Sequence, residues 1–265
     1  MPNVTSKDGT VIAYATQGSG PALILVDGAF GSRTFGPNES LAPHLADKFT
    51  VYNYDRRGRG ESGDTAPFAI EREVEDLEAV IKAAGGSAFV YGISSGAALA
   101  LEAANRGLAI DKLAVFEAPF VVDDTRPPIP EDCLPHLQEL VAADKRGEAI
   151  KYFMTKGVAL PGIFVALMRI MPAWGKLKRV AHTIPYDVAF LGDAGQGKPL
   201  PTDKWTGVTM PTLVIDGGKS PQWTRNAMPA LAKVLPNAEH HRLPGQMHIV
   251  KPKAIGPVLS DFFAA

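Results

Sequence analysis

Apolar residues along this chain fall into short unbroken runs and longer stretches with helical spacing, and the two kinds alternate. Residues 22–26 (ALILV) are apolar without interruption, the pattern of a strand buried on both faces of a parallel sheet. Residues 50–54, 89–93, 112–116, 211–216 and 240–243 read as further short strands. Between them, Ile70, Val74, Leu77, Val80, Ile81 and Ala84 recur at helical spacing, and Gly85-Gly86 supplies the stop. Helices are also predicted over 41–47, 97–104, 225–235 and 252–263. Residues 4–16 alternate around Asp8-Gly9, a turn signal, and predict an opening hairpin. Strand and helix in alternation specify the α/β class: a mostly parallel, twisted sheet with helices on both faces. Ligands of such sheets bind at the carboxyl ends of the strands.

The alternation stops near Pro119 and resumes near Val208. Residues 119–207 are proline-punctuated and poor in strands, with helices predicted over about 131–145, 148–156, 161–171 and 173–182. The sheet domain therefore comprises residues 1–118 and 208–265, and 119–207 form a helical lid inserted into it. Some large side chains of the insert build a small core of its own. Others are expected to line an apolar pocket over the strand ends, and the pocket candidates are Phe120, Phe153, Met154, Trp174 and Tyr186, with Phe30 from the sheet domain.

Composition narrows the function. The chain has 265 residues, 46% of them hydrophobic, enough for a sizeable core. Its 27 basic and 28 acidic residues leave a net charge of −1, so no field of one sign favours nucleic acid or an anionic membrane as partner. The single cysteine, Cys133, cannot form an internal disulfide. The first residues are polar, and the most apolar window, 158–171, is broken by Pro161, Gly162 and Arg169. A soluble cytoplasmic protein is expected, with a small-molecule substrate and an oligomeric state left open.

Chemistry concentrates at strand ends. The run 89–93 leads into Gly92-Ile93-Ser94-Ser95-Gly96 and then an Ala/Leu-rich helix. Strand, sharp turn and helix lift a serine hydroxyl off the sheet edge, and glycines on either side avoid collision with neighbouring backbone. Ser94 is the candidate nucleophile. It needs a base, and the base needs an orienting group. His248, in a glycine-containing loop between the last strand and the last helix, is the candidate base, since imidazole accepts and returns protons near neutral pH. His240 and His241 lie in or beside a strand, and His44, His136 and His182 lie in predicted helices, so they compete poorly. Asp55, Arg56, Arg57 and Arg59 follow another strand. They are read as a structural turn whose charges pair with one another and with loop carbonyls.

Four stretches together resemble the α/β-hydrolase superfamily over essentially the whole chain: Asp27-Gly28-Ala29-Phe30-Gly31-Ser32, Tyr54-Asp55-Arg56-Arg57-Gly58-Arg59-Gly60-Glu61-Ser62, Gly92-Ile93-Ser94-Ser95-Gly96, and Gly245-Gln246-Met247-His248. The resemblance implies a serine nucleophile, a late histidine base, an acid between them in sequence, a mobile helical cap, and no metal or organic cofactor. Serine at the turn argues against the branches that use aspartate there. An oxyanion hole is implied from the amide of Ser95 and that of Gly28 or Ala29.

Two stretches depart from the family pattern. The usual Gly-x-x-Asp after the penultimate strand is Gly217-Gly218-Lys219-Ser220, so the acid must come from elsewhere. Glu117, directly after the strand that follows the nucleophile helix, is the substitute, with Asp216 and Asp123 as alternatives. Asp27 stands where histidine is common. Zearalenone-type lactonases are similar in both a Glu-x-Pro stretch and this Asp-Gly. The expected activity is hydrolysis of a carboxylic ester or lactone of a small to medium apolar substrate through an acyl-enzyme. Cleavage of a carbon–carbon bond beside a ketone, or ligand binding without catalysis, are the alternatives.

Overall fold

The computed structural model describes residues 2–265. Eight strands form one sheet: β1 (Asn3–Thr5), β2 (Val11–Gln17), β3 (Ala22–Val26), β4 (Thr50–Tyr54), β5 (Ala88–Ile93), β6 (Ile110–Phe116), β7 (Thr212–Gly217) and β8 (Ala238–Leu243). Their order across the sheet is β1-β2-β4-β3-β5-β6-β7-β8. β1 and β2 pair antiparallel, as do β2 and β4, and every later pairing is parallel.

The pleat sorts side chains to two cores. Ile24 and Val26 of β3, Val90 of β5 and Leu113 and Val115 of β6 face α2 (Ile70–Ala83), α3 (Ser95–Asn105) and α9 (Gln222–Val234). Leu23, Leu25, Tyr91, Ile93, Ala114 and Phe116 face α1 (Pro37–Leu45) and α10 (Pro252–Ala264). The continuous apolar run of β3 and that of residues 113–116 in β6 follow from this double burial. The outer strand β8, AEHHRL, is largely exposed, and its charged side chains suit an unpaired edge.

Between β6 and β7 the chain forms α4 (Cys133–Ala142), α5 (Arg146–Tyr152), a π-helical turn (Phe153–Gly157), α6 (Gly162–Met168), α7 (Trp174–Val180), a 3-10 turn (Ala181–Thr183) and α8 (Ile184–Ala189). Two helices differ from the sequence expectation: α1 begins at Pro37, four residues before the predicted start, and α8, outside the predicted helices, carries Pro185 in its first turn. In both, proline occupies the first helical turn, where its missing N–H is not needed.

Candidate active site

β5 ends at Ile93, and the chain turns into α3 through Ser94, whose φ of 56° and ψ of −127° are strained for any residue but glycine. The turn is pinned by Ser94 N–H donating to Phe116 O at 2.9 Å. It is also crowded. A Cβ on Gly92 would lie 2.5 Å from Gly96 O, and one on Gly96 would lie 2.4 Å from Val26 O. Phe30 and Glu117 also have positive φ, 64° and 48°. Three strand-end loops thus hold strained backbone around one corner of the sheet.

Glu117 leaves the end of β6 with its carboxylate buried. Its Oε2 meets His248 Nδ1 at 2.7 Å, and its Oε1 accepts Gly217 N–H at 2.8 Å. The His248 side chain is 47% exposed, and its ring centroid lies 6.4 Å from that of Phe116, whose carbonyl holds Ser94. The loop after β8 therefore reaches back across the ends of β7 and β6.

The other two carboxylates are engaged elsewhere. Buried Asp216 pairs with His240 and accepts Arg242 Nε at 2.7 Å. Asp123 accepts Thr125 N–H at 3.0 Å and Asn226 Nδ2 at 2.6 Å. Ser220, at the usual place of the family acid, is buried and has no partner for its hydroxyl among the described residues.

The Asp27–Phe30 loop packs against the nucleophile turn. A Cβ on Gly28 would lie 2.9 Å from Ser94 Cβ and 3.5 Å from Ser94 Oγ. Gly28 N–H donates to Asp27 Oδ1 at 3.0 Å, while Ala29 N–H donates to no acceptor among the described residues. Ser95 opens α3, so its amide has no intrahelical acceptor either. Of the two loop amides left open by the sequence, that of Gly28 is engaged by Asp27. Burial pushes the Asp27 carboxyl up to about 7.

The six apolar candidates divide. Phe30 meets Phe153 of the insert edge-on, with centroids 5.8 Å apart, and Met154 shares the π-helical turn with Phe153. Arg126 holds that turn by donating to Gly157 O and Lys156 O, both at 2.9 Å. Trp174, partly buried, lies over Gly147 of α5. Phe120 does not fit the expectation: it is 1% exposed and stacks on Trp205, inside the core. Tyr186 also departs from it. Its ring stacks on Phe68 at 3.9 Å and its hydroxyl donates to Asp64 at 3.0 Å, which makes it a strut between insert and sheet domain.

The arginine-rich turn is structural, and Arg56 and Arg59 do reach loop carbonyls, Asp27 O and Gly28 O, but its charges pair with acids outside the turn rather than with one another. Asp55 takes Arg33 rather than its neighbours. Arg56 pairs with Glu73 and Asp187, Arg57 with Asp76 and Asp8, and Arg59 with Asp187. All three arginines are at most 1% exposed, and buried cations need acids. Burial opposes the Arg56 charge, and Glu73 and Asp187 outweigh it, so its pKa is raised. Glu73 and Asp76 are acids three apart on the buried face of the amphipathic α2, and Asp187 comes from 131 residues beyond Arg56.

Cys133 is buried within the insert, which pushes its thiol up to about 11. Among the described residues there is no group of three or more His, Cys, Asp or Glu side chains able to hold a metal, and no helix long and apolar enough to cross a membrane.

Comparison with known proteins bears on the fold and the family. An alpha/beta hydrolase from Sphaerobacter thermophilus DSM 20745 is 52% identical, with a TM-score of 0.91 over 99% of this chain and 100% of that one. The enol-lactonase from Burkholderia xenovorans LB400 covers 100% of both chains at a TM-score of 0.68 and 20% identity, a likeness of fold. The uncharacterized hydrolase YraK of Bacillus subtilis (strain 168) is 35% identical over 98 residues, 36% of this chain, so the match spans about a third (35%) of that relative's length. Residues 22–254 match the sequence profile of the alpha/beta hydrolase family, and the chain belongs to that family.

Proposed function

We propose that the protein is a serine hydrolase that cleaves a carboxylic ester or lactone through an acyl-enzyme. The observation that carries this is the 2.7 Å contact between His248 Nδ1 and the buried carboxylate of Glu117, the residue after Phe116, whose carbonyl holds the amide of Ser94 on its strained strand-to-helix turn. A carboxylate on Nδ1 fixes the imidazole tautomer and leaves Nε2 as the base. Ser94 Oγ adds to the carbonyl carbon as its proton passes to His248 Nε2. Negative charge then develops on the carbonyl oxygen, and the amides of Ala29 and Ser95 are the donors for it. Collapse breaks the acyl–oxygen bond, and His248 returns the proton to the leaving alkoxide. Water repeats the sequence on the acyl-serine: His248 takes its proton, and Ser94 leaves with that proton restored. Glu117 stabilises the imidazolium in both halves.

The Phe30–Phe153 contact favours an apolar acyl or alcohol group, with Met154 and Trp174 as further lining. The insert acts as the lid. Strongly exposed apolar side chains on and after α6, among them Ile163, Phe164 and Ile170, and Ile249 beside His248, also suit an apolar substrate. The lone, buried Cys133 supports a cytoplasmic site of action.

The test is hydrolysis of p-nitrophenyl acetate and butyrate by the wild type and by Ser94→Ala. A loss of about 10⁴-fold or more in kcat supports the reading. A wild type that neither turns over these esters nor takes a fluorophosphonate label on Ser94 overturns it.

A further inference from the structure

We propose that Asp187, carried on α8 of the insert, is a positioning residue that holds both walls of the oxyanion hole; this rests on the serine-hydrolase reading above. Its carboxylate is 2% exposed and takes three partners, two of which reach into the hole's backbone.

On the first wall, Ser95 Oγ donates to Asp187 Oδ1 at 2.7 Å. Ser95 is the residue whose amide starts α3. Tying its side chain to a buried carboxylate fixes the rotamer and the orientation of that first helical residue. Arg56 Nη1 reinforces the tie, donating to Asp187 Oδ1 at 2.9 Å and to Ser95 Oγ at 3.2 Å.

On the second wall the connection runs through a peptide plane. Arg59 Nη2 donates to Asp187 Oδ1 and Oδ2, each at 2.9 Å, and Arg59 Nη1 donates to Gly28 O at 3.0 Å. Gly28 O and Ala29 N–H belong to one trans peptide, in which the carbonyl and the N–H point in opposite directions. A guanidinium that pulls Gly28 O one way therefore aims Ala29 N–H the other way. Arg56 Nη1 likewise holds Asp27 O at 3.2 Å, in the peptide just before. The sites of Asp187, Arg56, Arg59 and Ser95 are all nearly closed to water, where misplaced charge is costly and geometry is stiff.

One carboxylate thus sets the directions of two amides on separate loops. Because it comes from α8, the hole is complete only with that helix docked. Asp187 is the acid that Arg59 pairs with, and it fixes the guanidinium together with Thr183 Oγ1, which accepts Arg59 Nε at 3.1 Å.

The experiment compares Asp187→Asn, Ser95→Ala and the double variant with the wild type. It measures kcat and KM on p-nitrophenyl butyrate, affinity for an aryl trifluoromethyl ketone whose hemiketal oxyanion occupies the hole, and thermal unfolding. Ser95→Ala removes one hydroxyl and keeps every ion pair, so it remains informative if Asp187→Asn does not fold. The expected result for each folded single variant is a fall in kcat of about 10- to 100-fold, with KM changed little and ketone affinity falling in parallel. The double variant should fall by less than the product of the two. A purely structural role would lower the unfolding temperature and leave kcat and ketone affinity at wild-type values, and that result in Ser95→Ala would overturn the proposal. Failure of the underlying reading looks different: Ser94→Ala would then retain wild-type turnover.

Discussion

Glu117 Oε1 accepts the amide of Gly217 at 2.8 Å. The carboxylate that faces His248 starts from β6, yet it is anchored by backbone at the end of β7, the strand after which most family members place the acid. With one oxygen held there, the other is left for imidazole. Glu117→Gln should lower kcat on p-nitrophenyl butyrate by about 10³- to 10⁴-fold, as expected when the group opposite Nδ1 no longer favours the correct tautomer. Asp216→Asn and Asp123→Asn should stay within about threefold of wild type, as neither side chain contacts His248 and their loss leaves transition-state binding intact. A reversed ranking in the same assay would reassign the acid.

Asp27 makes stability depend on pH. Its carboxyl titrates near 3.8 when unfolded and at about 7 when folded, because burial penalises the charge more than the Gly28 amide and the Arg59 and Arg56 charges favour it. Between these values the native state holds a proton that the unfolded state has lost. This stability contribution is therefore fully present below about pH 4 and is lost as pH rises, the loss being complete once pH passes about 7. A window of this width corresponds to roughly 4 kcal/mol. Asp76, pushed to about 6 by burial, adds in the same sense, and Asp8, lowered to about 2, acts in the opposite sense at lower pH. Asp27→Asn isolates the first term. Urea unfolding at pH 5 and pH 8 should show the variant gaining on the wild type at the higher pH.

The insert's aromatic residues should separate by kinetic effect. Phe153→Ala removes the ring that meets Phe30. It should raise KM for the butyrate ester by about tenfold and for the acetate by less, the scale expected for apolar pocket contacts. Tyr186→Phe removes a hydroxyl from Asp64 and should cost about 1 kcal/mol of stability, with KM unchanged on both esters.

Arg57 is closed by Asp76, which accepts its Nε and Nη2 at 2.7 Å each, with Asp8 as a second acid. Asp76→Ala should cost about 3 kcal/mol, because it leaves a buried guanidinium half-compensated. Chemical denaturation checks this, and the loss should exceed that of Asp8→Ala, whose carboxylate is nearer to water.

The sequence by itself determined most of the elements and the candidate nucleophile. Apolar runs, helical spacing and a Gly-x-Ser-x-Gly are short-range signals, written within one strand or one turn of chain. That is why residues 22–26 and 50–54 emerge with the bounds expected, and why Ser94 could be named at once. His248 was legible for a similar reason, as a histidine in a glycine-containing loop between the last strand and the last helix. Only the tertiary structure decided which carboxylate faces it. Glu117 and Asp123 follow one predicted strand and Asp216 ends another, and the choice depends on side-chain direction at the ends of β6 and β7. Asp216 turns to its cross-strand neighbours on β8, and Glu117, at positive φ, turns to His248 across 131 residues. The partners of the buried arginines were decided in the same way. Three cations in one turn announce that acids must come, but burial satisfies them from α2, from the first hairpin and from Asp187 on the insert. No local pattern records which acid arrives, because that depends on how the insert folds back onto the sheet.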